Sequence, residues 1–284
     1  MKKLIVLTLL LIQVSLLNGQ KNFSFIYLPD IHLRPDSIVV DNFRRIVRQV
    51  NKLHPDFVLT GGDMIYTAKT VDDKKAANLF DLMDKEFRRF KMPVYYTIGN
   101  HEHVGIEGST GIDSTNINWG KRLWEKRYEK RYYSFIYEGW KFFVLDGIRI
   151  LPGQKGYTGD IDPEQIEWIK RELASTGKTM PIAISIHTPF INPHFLVTTK
   201  PVMTAKTEMV LNMFAGYNLK LLLEGHTHLN MNLYYDGIHY LSGGSTGYGT
   251  DENDYGFYLI RIRKGTEKPE FIRIKGEKQK AKDS

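Results

Sequence analysis

Three times in its first hundred residues the chain runs a β-branched and aromatic stretch into a small or polar end: "FSFIYLPDIH", "FVLTGGD" and "PVYYTIGNHE". Between the first two, Val39, Phe43, Ile46, Val47, Val50 and Leu53 recur at helical spacing until Pro55 stops them. Between the second and third, "VDDKKAANLFDLMDKEFRRF" has the same period. Strand, polar end, helix, repeated, predicts an α/β fold: a largely parallel sheet with helices on its faces, and ligands beyond the carboxyl ends of the strands.

The pattern continues further along. "YYSFIYEGWKFFVLDG" predicts a hairpin turning at Glu138 and Gly139, and "DPEQIEWIKRELAS" a helix capped by Asp162 with Pro163 at its first position. A strand at "PIAISIH", a helix near "TEMVLNMFA", a strand at "KLLLEGH" and a β-rich end from 233 to 274 follow. The aperiodic segment from 103 to 120, rich in Gly, Ser, Thr and Asn, reads as a surface excursion beside "GNHE". With 284 residues, 42% of them hydrophobic, one sizeable core is expected, spanning 21–276.

The first twenty residues, "MKKLIVLTLLLIQVSLLNGQ", have the cationic start, apolar stretch and small polar end of a secretory signal peptide cut near Gly19 or Gln20. The apolar stretch, broken by Gln13 and Ser15, falls short of the roughly 20 residues that span a bilayer. We therefore expect a secreted or periplasmic protein with no membrane span in its mature form. With no cysteine, stability has to come from the core, and any metal from His, Asp, Asn, Glu or Tyr. The formal charge of +7 concentrates toward the C-terminus, where 277–284 reads as a basic tail. No compact Arg/Lys and aromatic constellation accompanies it, so no specific nucleic-acid binding is expected, and nothing in the sequence sets an oligomeric state.

Five of the nine histidines stand at strand ends: His32, His101, His187, His226 and His228, together with Asp30, Asp63 and Asn100. Any one alone reads as a capping residue. Their coincidence on one edge of the predicted architecture suits an intermediate metal. Asp30 and His32 are two apart and would share a side in extended backbone. Asp63 follows two glycines, which leave its carboxylate room to bridge two ions. Two divalent ions, offset by Asp30, Asp63 and one bridging hydroxide, leave a net positive charge that attracts a phosphate oxyanion. Ions roughly 3.5 to 4 Å apart activate a shared water and clamp the attacking and leaving oxygens.

In order, "DIH", "GGD", "GNHE", "SIH" and "GHTH" resemble the calcineurin-like metallophosphoesterase superfamily. The resemblance implies a four-layer α-β-β-α sandwich, two mixed β-sheets flanked by helices, and hydrolysis of a small-molecule phosphomonoester or phosphodiester. It implies two divalent transition metal ions (Mn, Fe, Zn or Co), one on Asp30, His32, Asp63 and His228, the other on Asp63, Asn100, His187 and His226. His101 is then the residue that stabilises or protonates the leaving alkoxide. The "GDMIY" block is similar instead to purple acid phosphatases, where the tyrosine binds ferric iron, so Tyr66 is an alternative ligand. Those enzymes lack a histidine at the position of His32. A further alternative is an interaction module that has kept the fold and lost catalysis. His54, His194 and His239 have no partner block; His103 reads as a solvated loop residue, with lining the pocket beside His101 the alternative, and Asp146 and Tyr157 as residues bordering the cleft.

Overall fold

The computed structural model describes residues 21–190, 205–246 and 256–274. Residues 1–20, read above as a signal peptide, the 277–284 tail and His194 lie outside them. Thirteen strands and five α-helices are placed among the described residues.

The first sheet runs in the order β13 (Thr266–Arg273), β12 (Gly256–Arg263), β1 (Phe23–Leu28), β2 (Phe57–Thr60), β3 (Val94–Tyr95). Strands β1, β2 and β3 are parallel, and β12 joins β1 antiparallel. The second sheet runs β10 (Asn230–Tyr235), β11 (Ile238–Gly243), β9 (Asn218–Glu224), β8 (Pro181–Ile186), β5 (Trp140–Leu145), β4 (Tyr133–Tyr137), parallel in its centre and antiparallel at both edges. A small hairpin, β6 (Ile148–Ile150) with β7 (Tyr157–Gly159), stands apart from both.

Three apolar clusters separate four layers. Between the sheets, Phe25 stacks on Phe57 at 4.9 Å and both meet Phe142 edge-on, filling an apolar interior with rings. Outside the first sheet pack α1 (Ser37–Leu53), α2 (Asp73–Phe87) and α3 (Arg122–Tyr128); outside the second, α4 (Pro163–Ala174) and α5 (Thr207–Phe214). The sandwich is therefore the one that the motifs imply, with two mixed sheets where periodicity alone suggested one largely parallel sheet.

Local chemistry explains the helix ends. Asp36 caps α1 by accepting from the Ile38 and Val39 amides, and His54 closes it in left-handed backbone before Pro55. Asp162 caps α4 through the Gln165 amide, with Pro163 at its first position. The stretch at 93–102 departs from its reading, because strand β3 is only two residues long. Beyond it the Tyr133 hydroxyl accepts from the Tyr96 amide and donates to the Tyr96 carbonyl, and Thr60 Oγ1 accepts from the Thr97 amide. Side chains have replaced the ladder, and the chain swings out of the sheet toward Asn100.

Candidate metal centre

The carboxyl ends of β1, β2 and β3 in one sheet meet those of β8 and β9 in the other, and there the marked residues converge. Asp30, His32, Asp63, Asn100 and His187 are buried, while His101, His226 and His228 are partly exposed.

How the chain presents them differs from the extended reading. Asp30, His32, Asp63, His226 and His228 all have positive φ, between 50° and 68°. That left-handed region costs a non-glycine residue roughly 1–2 kcal/mol, and such residues gather at functional sites. Asp30 and His32 therefore share a side through paired backbone reversals, not through strand alternation. Those reversals are fixed by hydrogen bonds from the Asp30 amide to the Gly62 carbonyl and from the His32 amide to the Asp63 carbonyl. The neighbouring glycines allow the approach: a Cβ on Gly62 (φ +88°) would lie 2.6 Å from His187 Nδ1, and one on Gly99 would lie 2.3 Å from Asp63 Oδ1.

Two groups of donor atoms result. In one, His32 Nε2 lies 3.0 Å from His228 Nε2, and His228 Nε2 lies 3.3 Å from Asp30 Oδ1. In the other, His187 Nε2 lies 3.0 Å from Asn100 Oδ1, 3.2 Å from Asp63 Oδ2 and 3.3 Å from His226 Nδ1. His226 Nδ1 also reaches Asn100 Oδ1 at 2.8 Å. Asp63 Oδ2 stands between the groups, 4.0 Å from His32 Nε2. His226 and His228 thus go to different groups, as the motif reading has it.

The donor chemistry fits metal ions. Within each of the Asp30–His32–His228 and Asp63–His187–His226 sets, one ligand atom per residue lies within 4.8 Å of the others. All are nitrogen or oxygen, the set that first-row divalent ions accept. His187 gives its Nδ1–H to the Gly61 carbonyl at 2.7 Å, which turns Nε2 toward the cluster, the way a second hydrogen bond orients a ligating imidazole. Protons occupy the charge balance otherwise. Burial opposes charge on His187, but Asp63 and then Asp30 hold it up to about 9; burial also opposes charge on His228, which Asp30 raises. Burial, followed by the neighbouring His187, drives His226 down to about 3.

His101 belongs to neither group as assigned, yet Nε2 lies 3.7 Å from Asp63 Oδ2 and its ring packs edge-on to His32. The same pairing makes Asp30-independent sense of a third set, His32, Asp63 and His101. Its Nδ1 contacts the Tyr66 carbonyl and its amide donates to Asp63 Oδ1 at 2.8 Å. Nε2 is thereby the nitrogen turned to the cluster.

Two residues emerge that sequence reasoning passed over or misread. Glu102 is fully buried, and its carboxylate accepts the amides of Gly99, Asp63, Met64 and Ile65, at 2.7 to 3.2 Å. It ties the "GGD" and "GNHE" turns together; the final letter of the second block was the available signal. His103, expected in solvent, is buried with Nδ1 2.9 Å from the Gly99 carbonyl, and burial lowers it to about 3. The solvated-loop reading fails because the 103–120 excursion folds back, Val104 pairing with Gly120.

Asp146 is buried under Lys121 and Arg131 and accepts the Ile148 amide, which makes it a structural anchor. Tyr157 does border the cluster, its ring 6.1 Å from that of His226. Tyr66 is 41% exposed, with the Arg34 guanidinium 4.8 Å over its ring. His54 caps α1, and His239 lies on β11 against Tyr234.

A family model described as calcineurin-like phosphoesterase matches residues 23–230. No curated protein matches the chain. Among solved structures, a dimetal phosphatase from Danio rerio is similar at 13% identity and a TM-score of 0.62, covering 84% of this chain and 92% of the other. GAP50, described as the anchor in the inner membrane complex of Plasmodium, is similar at 14% identity and 0.53, covering 90% and 86%. Phosphopantetheinyl hydrolase from Mycobacterium tuberculosis is similar at 15% and 0.51, covering 78% and 89%. At these identities the likeness is one of fold.

Proposed function

The chain belongs to the calcineurin-like phosphoesterase family, and from that premise we propose that it is a dinuclear metal-dependent hydrolase of small-molecule phosphoesters. The observation that carries the reading is the pair of donor groups meeting at Asp63 Oδ2, with His101 Nε2 beside them. Asp30, His32, Asp63 and His228 would hold one divalent ion, and Asp63, Asn100, His187 and His226 the other, with manganese, iron, zinc and cobalt the candidates. When bound, such a pair supplies Lewis acidity toward phosphoryl oxygens and a water activated near neutral pH.

The remaining chemistry belongs to the chain. The Tyr66 carbonyl holds His101 Nδ1–H, so the proton that His101 delivers to the leaving oxygen comes from Nε2. Asp63 fixes the His101 amide and so the distance between acid and cluster. Glu102 keeps the two turns in register. The substrate is a phosphomonoester or a phosphodiester, and parallel assays with mono- and bis-nitrophenyl phosphate separate the two.

Exposure of Tyr66 and its stacking with Arg34 support a pocket-wall role over an iron-bound phenolate. A neighbour described as an anchor in the inner membrane complex of Plasmodium is what an interaction-module reading would point to. Presence here of every donor together with His101 supports catalysis instead. The apolar segment behind Lys2 and Lys3 supports export to the periplasm or exterior, which fractionation of cells expressing the full chain would test.

Chelation should abolish phosphoester hydrolysis, and at least one of Mn²⁺, Fe²⁺, Co²⁺ or Zn²⁺ should restore it. His101→Ala should lower kcat by about 10²–10⁴ with metal content intact, the range of a lost general acid. Unchanged turnover in that variant removes His101 from the reaction; failure of all four metals removes the mechanism.

A further inference from the structure

The small β6–β7 hairpin belongs to neither main sheet, yet it delivers one side chain to the cluster. Tyr157, the first residue of β7, meets His226 edge to face at 83°. Its hydroxyl makes no hydrogen bond among the described residues. Lys69 also stands over the ring, its ammonium 5.4 Å from the ring centroid.

Both residues are held in place from outside the cluster. The 103–120 excursion bonds to the hairpin through the Gly156 amide and Ile106 carbonyl, and Glu107 bridges to Lys155. The Glu107 amide also pins the Lys69 carbonyl at 2.9 Å, while its carboxylate lies 3.3 Å from the Lys69 ammonium. An ammonium has three donors. One direction faces Glu107 and one the Tyr157 ring. Lys69 has 19% of its side chain exposed, so the ammonium is presented without being buried away from a ligand. A lysine and a phenol are thus fixed together, the phenol against His226, where the hydrolytic reading has no use for them.

We propose that Tyr157 and Lys69 form a recognition subsite on the His226 side of the cluster that binds a second anionic group of the substrate, beyond the phosphate that is cut. The phenol donates a hydrogen bond and the ammonium supplies charge. The preferred ester therefore carries a further carboxylate or phosphate on the group attached to the scissile phosphate. This inference rests on the hydrolytic reading above and adds the substrate class to it.

Binding to the metal-loaded full chain tests it without turnover. Isothermal titration would compare phenylphosphonate with 4-carboxyphenylphosphonate, two non-hydrolysable probes that differ by one carboxylate, with the metal content of each protein measured. The wild type should bind the carboxylated probe at least fivefold tighter. Lys69→Ala should abolish that preference, and Tyr157→Phe, which keeps the ring, should reduce it two- to threefold, each leaving phenylphosphonate affinity within twofold. Equal affinity of the wild type for both probes, or equal weakening of both by Lys69→Ala, overturns the subsite while leaving the hydrolytic reading intact. A wild type that takes up no metal, or binds neither probe, overturns the hydrolytic reading and the subsite with it.

Discussion

Glu102 shows how much a single buried carboxylate does for this site. Four backbone N–H groups from two turns end on its two oxygens. A glutamine offers one oxygen, and its amide N–H groups would face donors. Glu102→Gln is therefore expected to destabilise the protein by about 1–3 kcal/mol, the cost of buried polar groups left unmatched, and to loosen Asp63. Urea denaturation with metal analysis checks this; unchanged stability would mean that the turns hold without it. Tyr66 makes the opposite case. With its ring half exposed under Arg34, Tyr66→Phe should leave metal content and any visible absorption unchanged, whereas loss of an absorption band would return the phenolate reading.

Helices and turns carry their own expectations. Asp36 is not among the donor residues and caps α1 through the Ile38 and Val39 amides, so Asp36→Ala should cost about 1 kcal/mol of stability by thermal or urea unfolding and leave turnover alone. Gly62→Ala should behave differently, because its Cβ would meet His187 Nδ1 in a backbone that disfavours L side chains. The expected result is a protein that folds but holds fewer metal ions by elemental analysis. The elements themselves were legible in the chain. The Asp162 cap and Pro163 act within α4 itself, one to three residues along the chain, so they read the same in sequence and in structure. The short β3 was not legible, since the Tyr133 hydroxyl and Thr60 Oγ1 that end it come from distant segments.

For the whole molecule, metal, protons and folding are linked. Without metal, His187 is raised to about 9 and His228 is raised as well, both by carboxylates that a cation would also engage. Near pH 7 His187 carries a proton that bound metal displaces. Metal affinity should therefore rise as pH rises toward 9 and fall as pH drops, with proton release measurable by titration in buffers of different ionisation enthalpy. No proton release at pH 7 would count against His187 as a ligand. Metal at a thousandfold excess over its dissociation constant should add about 4 kcal/mol per site to stability, visible as a higher Tm, and a chelator should reverse it.

The strand and helix pattern, the caps, and the five ordered blocks bearing Asp30, His32, Asp63, Asn100, His101, His187, His226 and His228 are properties of neighbouring residues, and the sequence by itself determined them. The tertiary structure decided what depends on pairs far apart in the chain. It split the strands between two mixed sheets, placed Glu102 and His103 in the interior, and brought Tyr157 from a detached hairpin to within 6.1 Å of the His226 ring. Periodicity reports which face of an element is apolar, but not which distant segment will cover it; burial and close approach are set by that partner.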